Sequence, residues 1–238
     1  MLISNNLVGF GGRRSGNTDP NFASVVALLH MDGTDASTTF TDVKGKTFTA
    51  SGNAQIDTAQ AKFGVSSGLF DGTGDYVSSA DSADWEFGSG DFTIELFVRF
   101  NSTSGNATLL GKLDSAATDY MSFGISRSTT SLLFYATSTG ASFDIANGVS
   151  FATGLTTGVW YHVAINRTGT AWRGYIDGVG TSIATSSAAI VNSSYSLRLG
   201  GPSDSALHNG WIDEVRLTKG VGRYPSNFTP PTAAFPNS

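Results

Sequence analysis

Trp160-Tyr161-His162-Val163-Ala164-Ile165-Asn166-Arg167, followed by Trp172-Arg173-Gly174-Tyr175-Ile176-Asp177-Gly178, reads as two strands joined by a tight turn. Side chains alternate between the faces of a strand, so Tyr161, Val163 and Ile165 share one side while Trp160, His162 and Asn166 share the other. In the second run Trp172, Gly174 and Ile176 lie on one face, opposite Arg173, Tyr175 and Asp177. Thr168-Gly169-Thr170 supplies the turn, and Asp177-Gly178 tolerates the left-handed backbone that a hairpin end needs. A hairpin this apolar cannot stand alone. It requires a second sheet against its buried face.

Outward from the hairpin the same period continues. Phe92, Ile94, Leu96, Val98 and Phe100 form the core face of one long strand, with Thr93, Glu95, Phe97 and Arg99 opposite. Further strands are expected at 25–31, 108–112, 120–125, 131–136, 195–201 and 210–217, and Ser82 suits the cap of a single helical turn over 82–87. No break in charge or composition divides residues 25–224, which predicts one domain. Residues 1–24 form a glycine-rich arm, either a disordered tail or a segment that orders against a partner through Leu2, Ile3, Leu7, Val8, Phe10, Arg13 and Arg14. Residues 225–238 carry four prolines, which forbid a central strand and favour an extended wrap or a free terminus.

Composition narrows the function classes. With 29 glycines and only 14% charged residues, the chain suits short strands and small-residue turns rather than long solvated helices. The absence of cysteine excludes disulfides and thiolate metal sites. A net charge of -5, with no Lys/Arg cluster interleaved with aromatics, argues against nucleic acid as a partner. The start lacks a basic region followed by an apolar run, so no signal peptide is expected, and no stretch approaches the roughly 20 apolar residues of a membrane helix.

Catalysis has no visible address. Glu86, Glu95 and Glu214 do not form the alternating acidic strand of a sandwich-fold glycosidase, and His30, His162 and His208 lack metal-binding spacing. For sugar binding, Trp85, Trp172 and Tyr135 are the candidate stacking residues, with Asp119 and Asn147 in nearby loops. Trp160, Trp172 and Trp211 lie within strands, where packing into the core competes for the same apolar area.

Several pieces together resemble the laminin-G-like, concanavalin A-like jelly-roll domains of the bacterial and tailed-phage variety. They are Leu69-Phe70-Asp71-Gly72-Thr73-Gly74-Asp75-Tyr76-Val77, Asp91 to Val98, Leu110-Gly111-Lys112, Trp160 to Ala164, Gly174 to Gly178, Leu197 to Gly200 and Trp211 to Arg216. The resemblance implies an all-β fold, a two-sheet antiparallel jelly-roll sandwich. Related domains hold one Ca²⁺ between a carboxylate near the first strand and another in the penultimate segment, which Asp32 or Asp35 and Asp213 match, with Asp71 or Asp75 assisting. The closing 218–231 is similar to the end of such domains in phage structural proteins. From this follows an expected role as a non-enzymatic structural or attachment protein of a tailed-phage virion: a capsid decoration protein, head fiber or tail-associated adhesin, contacting capsid or tail proteins, with homo-oligomers as the default. The alternative is a carbohydrate-binding, lectin-like module for cell-surface glycans, calcium dependent or not.

Overall fold

The computed structural model describes residues 18–113, 122–202 and 205–238. The arm residues Leu2, Ile3, Leu7, Val8, Phe10, Arg13 and Arg14, and the loop residue Asp119, lie outside them. In chain order the strands are β1 (Val25–Leu29), β2 (Thr39–Thr41), β3 (Thr47–Ser51), β4 (Gln55–Asp57), β5 (Ser67–Asp71), β6 (Tyr76–Ser79), β7 (Phe92–Phe100) and β8 (Asn106–Lys112). They continue with β9 (Phe123–Ser128), β10 (Ser131–Ala136), β11 (Ala146–Ala152), β12 (Trp160–Thr168), β13 (Ala171–Ile176), β14 (Val179–Thr185), β15 (Leu197–Leu199) and β16 (Asn209–Lys219). A short 3-10 turn, Ala83–Trp85, is capped as expected: the Ser82 hydroxyl accepts from the Asp84 N–H.

These strands form an antiparallel two-sheet jelly-roll sandwich. Sheet A runs β14-β13-β12-β7-β16-β5-β4, with β1 also paired to β16, and sheet B runs β11-β10-β9-β8-β15-β6-β3-β2. Alternation puts Phe92, Ile94, Leu96, Val98, Phe100, Val163 and Ile165 of sheet A inward against Leu109, Phe123, Ile125, Leu132 and Phe134 of sheet B, all fully buried. Phe92 stacks on Phe87 at 4.4 Å and meets the edge of Trp172 at 5.5 Å. Near the two ends of β7, buried arginines hold loops through carbonyls. Arg127 donates to the carbonyls of Ser104, Gly105 and Thr129, and Arg167 to those of Gly88, Gly169 and Ala188. A buried cation without a carboxylate needs such a cage of dipoles.

The outer face of sheet A is also covered. The C-terminal segment lies across it as an extended strap: Tyr224 stacks on Phe228 at 3.7 Å, Phe228 packs against Tyr175, and Phe235 joins Val25, Leu28 and Phe97 in a second apolar cluster. Beneath the strap Glu95 accepts from Arg216 at 2.9 Å and from the Tyr224 hydroxyl at 2.7 Å, and lies 3.1 Å from His162. Asp19 closes the network by accepting from Arg216 and Arg223, and its N–H donates to the Ser238 carbonyl. Burial pushes the Glu95 carboxyl up, but the Arg216 charge and the hydrogen bonds from His162 and Tyr224 outweigh it and hold the pKa at about 2.

Candidate functional site

The outer face of sheet B is open and polar. One row across it runs Thr39, Thr49, Ser78, Arg198, Gly111, Gly124 and Tyr135, from β2 to β10. At the β8–β10 end a pocket of about 230 Å³ is lined by Asn106, Thr108, Ser126, Ser128, Leu133 and Tyr135. The strand period explains the lining: Thr108, Ser126 and Leu133 are register partners facing away from the core.

Tyr135 supplies the apolar wall. Its ring is half-buried, with the Phe143 ring 4.9 Å away, and its hydroxyl points at Gly148, where a side chain would come within 2.7 Å of it. Gly148 also has φ +60, so both space and backbone demand glycine there. The Thr108 and Ser126 hydroxyls are 3.3 Å apart, and Asn106 stands exposed at the rim. Arg127 behind them fixes the 104–105 loop. A flat ring edge beside hydroxyls and an amide can cover a sugar's C–H face and hydrogen-bond its hydroxyls. The volume suits one ring rather than a long ligand.

Of the sequence candidates, Asn147 is exposed on β11 next to Gly148, outside the pocket lining, and Tyr135 lines the site. Trp85 and Trp172 do not. They are 1% and 0% exposed, with indole N–H groups donating to the Ala80 and Ser186 carbonyls, so neither offers a face to a ligand. Trp160 and Trp211, expected in the core, instead sit half-buried on the outer face of sheet A. Alternation was the available signal: Trp172 shares its face with Ile176, and Trp160 shares its face with His162. Asn106, Thr108 and Ser126 were missed because single polar residues at strand positions carry no motif, and Phe143 because it lies in the loop before β11.

Of the five acids named for calcium, Asp71 accepts from the Thr73 N–H. Asp32 accepts from the Val65 N–H, Asp35 from Thr58, Asp75 from the Asn53 and Asp71 N–H groups, and Asp213 from those of Lys62 and Phe63. No three His, Asp or Glu side chains gather to hold a metal among the described residues. Burial raises the Asp213 carboxyl, against the two amide donors, to about 7.

The family model described as the concanavalin A-like lectin/glucanases superfamily matches residues 71–221. The chain belongs to this superfamily. Among solved structures it is similar to the binding domain of Paraclostridial mosquitocidal protein 1, at 15% identity and TM-score 0.62, covering 84% of this chain and 50% of that one. It is also similar to a botulinum neurotoxin type C structure, at 14% identity and TM-score 0.61, covering 84% and 49%. A Trypanosoma rangeli sialidase in complex with sialic acid matches at 18% identity and TM-score 0.59, covering 84% and 31%. The chain thus spans about half of the toxin chains and about a third of the sialidase, and the likeness is one of fold. No curated protein matches by sequence.

The tailed-phage expectation is corrected. The solved structures it resembles are toxin binding domains and sialidases, which overturns the phage family type, the capsid or tail role, the capsid and tail partners and the virion location. The physical source of the error is the closing segment, whose aromatic and proline residues cover this chain's own sheet A.

Proposed function

We propose that the chain is a carbohydrate-binding, lectin-like module that takes a sugar ring on the outer face of sheet B. The observation that carries this reading is the half-exposed Tyr135 ring set beside the hydroxyls of Thr108, Ser126 and Ser128 and the Asn106 amide in one pocket. The fold supports it, as do the titles of two similar structures, one describing a sialidase bound to sialic acid and the other a neurotoxin whose cell entry depends on two ganglioside molecules. The natural partners on this reading are cell-surface glycans.

A glycan array followed by calorimetry on the best hit tests it, with wild type beside Tyr135→Ala. Removing the ring is expected to weaken binding about tenfold, the loss of ~1–1.5 kcal/mol of ring contact, with the melting temperature little changed. Wild type that retains no glycan sinks the reading. Full binding by Tyr135→Ala moves the site elsewhere.

A further inference from the structure

The cover over sheet A, with Phe228 at His162, Phe235 and Phe63 at Phe97 and the Lys62 and Phe63 amides at Asp213, reaches the row before the last of β7. Beyond it, strand register places Trp160, Arg99, Trp211, Leu69 and Gln55 side by side across β12, β7, β16, β5 and β4, all on the outer face and all partly exposed. Two strand spacings put the tryptophans about 10 Å apart, with Arg99 between them. The next row inward, His162, Phe97 and Asp213, is fully buried. The boundary between covered and open surface runs between these two rows.

Arg99 differs from the arginines beneath the strap and from those that hold loops. Arg216 and Arg223 meet Asp19 and Glu95, and Arg127 and Arg167 meet carbonyls. Arg99 donates to no acceptor among the described residues, and its Nε is buried without a partner. Its guanidinium lies 5.5 Å from the Trp211 ring, a cation–π contact that orients the fork without neutralising it. A second cation is near, since the Lys62 ammonium sits 5.2 Å from the Phe97 ring. Asp57, two positions beyond Gln55 on β4, accepts the Trp211 indole N–H at 2.7 Å. Gly158 borders Arg99, and a side chain there would come within 3.3 Å of Nη1.

We propose that this row is a second ligand site, separate from the Tyr135 pocket and on the opposite sheet, that takes a saccharide bearing a carboxylate. Indole faces suit the C–H faces of sugar rings, and a guanidinium fork matches a carboxylate bidentately. An acidic peptide would satisfy Arg99 but leaves the two flat rings without a purpose, so the sugar is the occupant that uses all three side chains.

The test titrates the full chain with two carboxylated probes, trigalacturonate and sialyllactose, and with their neutral counterparts, the carboxyl-reduced trimer and lactose, following tryptophan fluorescence and heat. Wild type is expected to prefer the acidic member of at least one pair about tenfold or more, with the preference shrinking as salt is raised. Arg99→Gln should abolish the preference, Arg99→Lys should keep part of it because the charge remains while the fork is lost, and Tyr135→Ala should leave it intact. Trp160→Ala should weaken acidic binding without equalising the pair. Equal affinity for acidic and neutral probes overturns the proposal, as does a preference that survives Arg99→Gln or that a poly-glutamate peptide competes away at equal charge. If Arg99→Gln does not fold, Arg99→Lys and Trp160→Ala decide by the same comparison. Neutral-sugar binding that depends on Tyr135 while the acidic preference is absent sinks this site and leaves the sheet B reading standing.

Discussion

The two outer faces of the sandwich share one core but are built on opposite principles. Over sheet A, residues far apart in sequence bring Glu95, Arg216, Arg223 and Asp19 together under a proline-rich strap, with His162 and Glu95 both fully enclosed. Over sheet B, Thr39, Thr49, Ser78 and Tyr135 stay in reach of water. Buried charges must be matched to be tolerated, so the sheet A network is bound up with folding. Small hydroxyls on an open sheet are free of that demand, which leaves this surface available for recognition.

Glu95→Gln breaks the comparison hardest. It leaves Arg216 short of its carboxylate in a sealed site, and is expected to cost about 3–5 kcal/mol in urea unfolding and to loosen the strap to proteolysis. A loss under about 1 kcal/mol would mean that the network is solvated and that the two faces are alike.

Asp213→Asn comes next. With its folded pKa raised to about 7 from the ordinary 3.8, Asp213 contributes stability that is fully present below the unfolded value and lost as pH rises through about 7. The variant should therefore be more stable than wild type at pH 8, by up to a few kcal/mol, and close to it at pH 4. Thermal melts across that range check the sign. Glu95 runs the other way: its depressed carboxyl contributes stability present above its unfolded value and lost as pH falls toward about 2.

The smallest effect is expected on sheet B. Thr49→Ala, on an exposed strand position, should change stability by no more than about 0.5 kcal/mol. A loss of several times that would show that sheet B's outer face is also part of the folding unit.

Much of this was legible from residues in order. The faces of the 160–167 and 172–178 strands, the inward set of β7 and the Ser82 cap all follow from local alternation and capping chemistry, and the structure has them as read. The same alternation, followed through, separates Trp172 from Trp160. Choosing Trp85 and Trp172 as sugar platforms failed because an aromatic residue's type says nothing about which side of a sheet is covered. Tyr135 lies in the pocket on sheet B and Asn147 outside its lining, while the polar residues beside Tyr135 come from strands that only the sheet order makes adjacent.

What the sequence by itself determined is the period-2 pattern and therefore the strands, their inward faces and the need for a second sheet. Those signals act between residues a few positions apart. The tertiary structure alone decided that residues 224–238 fold back over sheet A, that Asp19 meets Arg223, and that Arg99 is left between two tryptophans without an acid. Each depends on contacts between distant segments, whose pairing is settled by which surfaces can be buried together and not by any local preference.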